Sequence, residues 1–205
     1  MSLYADYIFP VVLDIATKPL KPQRQQTISL ATGRVLEIGI GTGANLPFYS
    51  QKVSEIIGIE PELAMLKKAE LMVKQAPSNA LVKLAVGDAH HLEFADNSFD
   101  TVIMCLVLCT IPDPLKAVQE AYRVLKPNGQ LIFLEHVRAP NTHIARLQNW
   151  ATPAWKHLGC GCHLNRDTEQ TLIAAGFNFL QITRYQHPKM MKLGASMIQG
   201  VAVKP

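Results

Sequence analysis

The chain has 205 residues, of which 48% are hydrophobic, so one domain can bury an ordinary core without metals or disulfides. Its formal net charge of +4 is spread along the chain, without the basic run or the interleaved aromatic residues of a nucleic-acid groove, and nucleic acid is therefore excluded as an expected partner. Four cysteines without the spacing of a disulfide framework favour reduced thiols and a cytoplasmic location.

Residues 1–33 are predicted to form an N-terminal helical segment. Its apolar side chains recur at helical spacing, with a break expected near Pro10. No basic leader of a secretory signal is present, and the apolar run is too short to cross a bilayer. We expect this segment to pack on its own domain, with peripheral membrane contact as the open alternative. The apolar positions are Tyr4, Tyr7, Ile8, Val11, Val12 and Ile15.

Beyond Arg34 the chain alternates strand and helix patterns. This alternation predicts a single α/β domain over residues 1–205, with a mainly parallel sheet covered by helices on both faces. Helices are expected over Asn45–Ser50, Pro61–Val73 and Pro114–Lys126, the last ending at a Pro-Asn-Gly turn. The predicted strands are Val35–Ile38, Ile56–Ile59, Leu81–Val86, Thr101–Cys105, Gln130–Glu135, Phe179–Tyr185 and Ile198–Val203.

Three of the predicted strands end in residues suited to a nucleoside. A loop containing Gly39, Gly41 and Gly43 follows the first strand, and glycines allow the backbone to approach a ligand closely. Glu60 ends the second strand, where a carboxylate can hydrogen-bond a ribose diol, and Asp88 follows the third strand. Because the carboxyl ends of parallel strands share one edge, these residues predict a nucleoside-binding crevice.

Two cofactor classes use such a crevice. The glycine loop satisfies the relaxed dinucleotide pattern, in which helix-terminal amides bind a pyrophosphate. S-adenosylmethionine carries no phosphate, and it calls for polar groups at its aminoacyl, ribose and adenine ends. Glu37, directly or through water, Glu60 and Asp88 can meet those three needs in that order. The three carboxylates favour S-adenosylmethionine.

Five motifs occur in an order that resembles class I S-adenosylmethionine-dependent methyltransferases: Glu37-x-Gly39-x-Gly41-x-Gly43, Gly58-Ile59-Glu60-Pro61, Gly87-Asp88-Ala89, Phe99-Asp100 and Leu125-Lys126-Pro127-Asn128-Gly129. The resemblance implies a Rossmann-like seven-stranded sheet in the order 3-2-1-4-5-7-6, with its last pair antiparallel. It also implies the cofactor-binding residues Glu37, Gly39, Ile40, Gly41, Gly43, Asn45, Glu60, Pro61, Met65, Asp88, Ala89, Cys105 and Leu106.

A narrower resemblance extends toward the C-terminus. Four segments look like the methyltransferase-like 7 family: Leu106-Val107-Leu108-Cys109, Leu134-Glu135-His136-Val137, Pro153-Ala154-Trp155 and Gly161-Cys162-His163-Leu164-Asn165-Arg166. Members methylate small exogenous thiols, so the resemblance implies a small, fairly apolar acceptor, with a thiol as the first expectation. Quinone C-methylation and phospholipid N-methylation stay open. Outside this class, a nicotinamide-dependent oxidoreductase and a non-catalytic adenosylmethionine-binding module are the alternatives.

The acceptor side is expected to involve an inserted segment, residues 141–165, as a substrate cap over the carboxyl edge of the sheet. His136 is the candidate catalytic base for ionising a thiol, with a structural or orienting role as the alternative. No metal is expected, because Cys160-x-Cys162 departs from zinc spacing. The acceptor-binding candidates are Tyr4, Tyr7, Cys109, His136 and Trp155.

Overall fold

The computed structural model describes residues 3–75 and 80–205. Seven strands form one sheet in the order β3-β2-β1-β4-β5-β7-β6. Strands β1 to β5 run parallel, and β7 is antiparallel to both β5 and β6. The expected Rossmann-like order and the antiparallel final pair are therefore confirmed. The strands are β1 (Gly33–Ile38), β2 (Val53–Ile59), β3 (Leu81–Ala85), β4 (Phe99–Cys105), β5 (Leu125–His136), β6 (Asn178–Gln186) and β7 (Ser196–Val203).

The central strands are buried because helices cover both faces of the sheet. Successive residues of a strand point to opposite faces, so Val35 of β1 joins one hydrophobic cluster while Leu36 joins the other. The same division occurs in β4, between Met104 and Ile103. The α-helices are α1 (Phe9–Thr17), α2 (Lys21–Ile28), α3 (Leu63–Gln75), α4 (Pro114–Val124), α5 (Thr142–Leu158) and α6 (Thr168–Ala174).

The helix expected directly after the glycine loop, Asn45–Ser50, is wrong. Only a 3-10 turn, Leu46–Phe48, forms there, and Tyr49 is extended with φ −65° and ψ 136°. Extension brings the Tyr49 hydroxyl within 2.6 Å of a Glu37 carboxylate oxygen. That hydrogen bond and the nearby start of β2 leave no room for a longer helix.

The other two expected helices form with shifted ends. Helix α3 begins at Leu63 rather than Pro61, and the Glu60 carboxylate accepts the Glu62 N–H just before it at 3.2 Å. Helix α4 ends at Val124, where β5 already begins. The Pro-Asn-Gly turn lies within the irregular first part of β5, with Asn128 at φ +60°, and the pairing of β5 with β4 shifts register there.

The N-terminal segment is helical, and its helix type changes next to the expected break. A π-helical turn, Tyr4–Ile8, passes directly into α1, and Pro10 occupies the first turn of α1. Several apolar side chains of the segment are exposed, among them Tyr7 at 71% and Ile15 at 68%. Within residues 3–75 and 80–205, every helix is too short or too polar to cross a membrane.

The strand pairings bring the site-forming loops to one edge. Ile38 pairs with Ile59 of β2 and Met104 of β4, and Cys105 pairs with Leu134 of β5. Since these four strands are parallel, the segments that follow them emerge side by side. The glycine loop, Glu60, the segment after Cys105 and His136 consequently share the carboxyl edge of the sheet.

Candidate active site

Gly39 and Gly41 have different roles in the glycine loop. Both have positive φ, +71° and +57°, a backbone conformation that favours glycine. A Cβ on Gly39 would collide with the Val107 side chain, whereas the nearest atom to a Cβ on Gly41 would be 4.0 Å away. Gly39 therefore permits packing inside the protein, and Gly41 leaves open space at the edge of the sheet, as a ligand requires.

Glu60 joins the glycine loop to the start of α3. One of its carboxylate oxygens accepts the Gly41 N–H at 3.0 Å, and the other accepts the Glu62 N–H at 3.2 Å. Burial raises the pKa of Glu60, although both backbone hydrogen bonds oppose the rise. Each carboxylate oxygen can accept a further hydrogen bond. Glu60 is thus oriented as a ribose-binding carboxylate would be.

Glu37 is the centre of a buried polar network beneath the loop. Its carboxylate accepts hydrogen bonds from Asn45 Nδ2 and from the Tyr49 hydroxyl, both at 2.6 Å. Burial raises the pKa of Glu37 to about 7, while Tyr49, Asn45 and the positive charge of Arg24 act in the opposite direction. The carboxyl is held rigidly by Asn45 and Tyr49, and its contact with a cofactor's aminoacyl end, directly or through water, stays a prediction.

Arg24, in α2, is a site residue that the sequence analysis missed. Its guanidinium donates to Asn45 Oδ1 at 2.6 Å and lies 3.5 Å from Cys105 Sγ. The side chain of Thr42 in the glycine loop also donates to Asp14 of α1 at 2.8 Å. The N-terminal helices therefore take part in the site. No pattern in the sequence distinguishes Arg24 from the other basic residues of the N-terminal segment.

Asp88 lies at the outer end of the same edge. Its Oδ1 accepts the His90 backbone N–H at 2.9 Å and contacts His90 Nδ1 at 2.7 Å. Those interactions with His90 lower the pKa of Asp88, whose side chain is 66% exposed. Asp88 is consequently ionised and accessible, as an acceptor for an adenine amine must be.

The segment after β4 is strained and held by Glu135. Leu106 has φ +57°, a conformation that is costly for a branched side chain and that is concentrated at functional sites. Glu135, fully buried, accepts the N–H groups of Val107 and Leu108 at 2.8 and 2.9 Å. Burial raises the pKa of Glu135 to about 7, against those hydrogen bonds. This carboxyl fixes the path of the backbone that leads to Cys109.

Cys109, His136 and Cys162 form a side-chain cluster. One ligand atom from each lies within 4.8 Å of the other two, and His136 Nε2 is 3.1 Å from Cys162 Sγ. The loop bearing Cys162 is attached to the end of the β4 segment because the His163 N–H donates to the Cys109 carbonyl at 2.8 Å. Two acceptor candidates, His136 and Cys109, are thereby brought together.

The three aromatic candidates for acceptor binding, Tyr4, Tyr7 and Trp155, differ in their contacts and exposure. Tyr4 donates its hydroxyl to the Leu158 carbonyl at 2.7 Å, so the N-terminal segment meets the end of α5. Trp155 is partly buried, and its indole nitrogen has no hydrogen-bond partner among the described residues. Tyr7 is largely exposed, as is Trp150 at 82%. Helix α5 occupies most of the segment expected to be a cap, whose role as a cap stays a prediction. Trp155 lies near its C-terminal end, and both Trp155 and Cys162 border Gly159.

Most of the remaining cofactor candidates are buried or half-buried. Ile40, Met65, Ala89 and Cys105 are 3–9% exposed, as expected for apolar walls, whereas Pro61 is exposed. A separate cavity of about 670 Å³ lies on the other side of β5, lined by Arg138, Arg166, Arg184 and Tyr185 among others. Glu37, Glu60 and Asp88 do not line this cavity.

Comparison with known proteins relates this chain to methyltransferases. The family described as "Methyltransferase domain" matches residues 36–133. Thiol S-methyltransferase TMT1B of Rattus norvegicus is 37% identical over 177 residues, covering 83% of this chain and 70% of the relative. TMT1B of Homo sapiens is 32% identical over 212 residues, covering 98% and 86%. A phosphatidylethanolamine N-methyltransferase of Cereibacter sphaeroides is 36% identical over only 51% of each chain.

Solved structures share the fold at lower identity. A methyltransferase from Aquifex aeolicus, described as SAM-dependent, has a TM-score of 0.66 and 18% identity, covering 96% of this chain and 97% of its own. The cyclase SpnF has a TM-score of 0.72 and 22% identity, covering 93% and 82%. Since one of these neighbours is named a cyclase, the fold alone does not specify the reaction.

Proposed function

This chain belongs to the family of S-adenosylmethionine-dependent methyltransferases that includes the TMT1 thiol S-methyltransferases, and from that premise we propose that its acceptor is a small, fairly apolar thiol. The observation that carries the proposal is the alignment with human TMT1B, which spans 98% of this chain. The alignment therefore includes the N-terminal segment and α5 as well as the cofactor edge. A match limited to the cofactor edge would not indicate an acceptor.

The residues of the carboxyl edge fit S-adenosylmethionine. Gly41 leaves open space, Glu60 presents a carboxylate for the ribose, and exposed Asp88 presents one for the adenine amine. Glu37, held by Asn45 and Tyr49, can act on the aminoacyl end. When bound, S-adenosylmethionine supplies an electrophilic methyl group on a sulfonium. The protein residues bind and orient both reactants and exclude water.

The acceptor pocket is proposed between the N-terminal segment and the end of α5, beside His136. The hydrogen bond from Tyr4 to Leu158 supports this position, because it joins the two elements, and the loop that follows Leu158 reaches Cys109 through the His163 N–H. Partly buried Trp155 offers an apolar surface there. A thiol has a pKa of about 8.5 and becomes a strong nucleophile once ionised. His136 is the candidate base for that ionisation.

An acceptor panel tests the proposal. Purified protein is incubated with isotopically labelled S-adenosylmethionine and, in turn, a small alkyl or aryl thiol, an amine, a phenol, a quinol and phosphatidylethanolamine vesicles, and products are identified by mass spectrometry. We expect label on the thiol sulfur, with far lower transfer to the other acceptors. Efficient methylation of the quinol or the phospholipid, with the thiols inert, would overturn the thiol assignment.

A control separates acceptor choice from cofactor binding. Glu60→Gln should reduce transfer to every acceptor in the same proportion at limiting S-adenosylmethionine, because it alters the cofactor edge alone.

The proposed cytoplasmic location is supported by the four cysteines, all of which are free thiols. Free thiols persist in a reducing compartment. Localisation of a tagged chain by microscopy and fractionation tests that part of the proposal.

A further inference from the structure

The cluster of Cys109, His136 and Cys162 has the composition of a metal site. Zn²⁺ is commonly bound by cysteine sulfur and histidine nitrogen, and Cu(I) also accepts such ligands. Mg²⁺ and Ca²⁺ prefer oxygen ligands, which the cluster lacks. Their ligand atoms lie within 4.8 Å of one another. Neighbouring ligand atoms of a tetrahedral zinc centre are separated by roughly 3.5–3.8 Å, so side-chain adjustments of about an ångström would complete the geometry.

The backbone already holds the three ligands in place. His136 is the last residue of β5, and Cys109 lies beyond the end of β4, the parallel neighbour of β5. Glu135 fixes the segment between β4 and Cys109 through two backbone N–H groups. The His163 N–H donates to the Cys109 carbonyl, which holds the Cys162 loop against that segment. Three separate parts of the chain therefore deliver the ligands to one point.

Several polar atoms around the cluster have no hydrogen-bond partner. Among the described residues, buried side-chain atoms without a partner include His136 Nδ1, Glu135 Oε2, Trp155 Nε1 and Arg166 Nε. Buried polar atoms are normally paired with protein or with ordered water. His136 Nδ1 is the ring nitrogen that the cluster does not use, so it stays protonated and able to donate while Nε2 binds an ion.

Metal binding deprotonates the two thiols of the cluster. Zinc binds cysteine as a thiolate, so Cys109 and Cys162 each release a proton to solvent, and their two negative charges offset the charge of the ion. Arg166 adds a positive charge near both sulfurs, which the two thiolates outweigh.

We propose that Cys109, His136 and Cys162 bind one Zn²⁺ ion through two thiolates and the His136 Nε2 atom, leaving a fourth coordination position open. Three protein ligands with an open fourth position are typical of catalytic rather than structural zinc sites. The three ligands lie far apart in the sequence, so no short zinc-binding motif identifies them. When zinc is bound, His136 Nε2 is a ligand and does not accept a proton, so the role of His136 as base applies to the metal-free protein. Metal binding itself does not depend on the identity of the methyl acceptor.

Cobalt substitution tests the proposal directly. Full-length protein, reduced with a phosphine and treated with a chelator that is then removed, is titrated with Co²⁺ under argon. We expect intense tetrahedral d–d bands and a near-ultraviolet thiolate-to-cobalt band at one equivalent, both abolished by Zn²⁺. Cys162→Ser and Cys109→Ser should each weaken Zn²⁺ binding more than roughly 100-fold, beyond the 10–100-fold typical of outer-shell changes.

Cys160→Ser is the matched control, because Cys160 is in the same loop but outside the cluster. It should retain the cobalt spectrum of the parent. Circular dichroism and adenosylhomocysteine binding establish that each variant is folded. Reduced, folded parent protein that gives no thiolate–cobalt band would overturn the proposal, as would a band that survives Cys162→Ser and disappears in Cys160→Ser. Because the readout is metal absorption, an incorrect acceptor assignment leaves this result unaffected.

Discussion

Replacing Glu60 by Gln should weaken cofactor binding while leaving the domain folded. Each Glu60 oxygen already accepts a backbone N–H, from Gly41 or from Glu62. In Glu60→Gln the amide nitrogen must face one of those N–H groups, since a glutamine side chain has only one acceptor oxygen. The variant therefore loses one hydrogen bond to the loop and the charged acceptor for the ribose.

The magnitude follows from the charged hydrogen bond. A hydrogen bond to a charged group contributes about 1.5–3 kcal/mol, which corresponds to roughly 10- to 150-fold in the dissociation constant. The cost to stability should be smaller. A lost backbone hydrogen bond costs about 1 kcal/mol. Burial disfavours the ionised form of Glu60, as its raised pKa indicates. Because the glutamine amide is neutral, it avoids that penalty and offsets part of the lost hydrogen bond.

Isothermal titration calorimetry with S-adenosylmethionine and adenosylhomocysteine measures this change, and thermal unfolding monitors the fold. Glu62→Gln is the matched control, because Glu62 is exposed and its backbone N–H is retained. Parent affinity in Glu60→Gln, or an equal loss in Glu62→Gln, would refute the reasoning. Tight NAD binding by the parent, without adenosylhomocysteine binding, would refute the assignment of the crevice.

Three further perturbations test other parts of the site. Gly41→Ala should fold, because the added Cβ meets open space and the only cost is about 1–2 kcal/mol for the left-handed backbone. Calorimetry should nevertheless show strongly weakened adenosylhomocysteine binding. Unchanged affinity would place the ligand elsewhere. Glu37 ionises in the folded state at a cost, since its pKa is about 7 against an ordinary value near 4.5. The contribution of Glu37 to the parent's free energy of unfolding in urea should therefore be greatest below about pH 4.5 and be lost as the pH rises from there to about 7. Glu37→Gln should remove up to about 3 kcal/mol of that decrease, and Glu135 contributes separately. Identical pH slopes for parent and variant would contradict this. In chelator-treated protein, His136→Ala should reduce the rate of thiol methylation most below the pKa of the thiol. The loss of rate should shrink at higher pH, because the thiolate then forms without a base. A pH–rate profile parallel to that of the parent would show that His136 is not the base.

Local patterns in the sequence were sufficient for the sheet and for placing three candidate cofactor-binding residues at one edge of it. Alternating strand and helix patterns predicted the mainly parallel sheet, and the resemblance implied its strand order. Gly41, Glu60 and Asp88 could be located because each closely follows or ends a strand, and parallel strands bring such residues to one edge whatever the details of packing. The helix expected over Asn45–Ser50 failed because Tyr49 extends to bond Glu37, a contact between loop and strand that no propensity reveals.

Contacts between distant parts of the chain were decided by tertiary packing. Arg24 reaches Asn45 from an N-terminal helix, and nothing in its local sequence indicates burial. Cys162 reaches His136 and Cys109 only because α5 returns its following loop to the ends of β4 and β5. Such convergence depends on the direction of each element and on the packing that holds it. Strand-end chemistry is therefore encoded within short segments, whereas the sulfur–imidazole cluster exists only once the whole domain has folded.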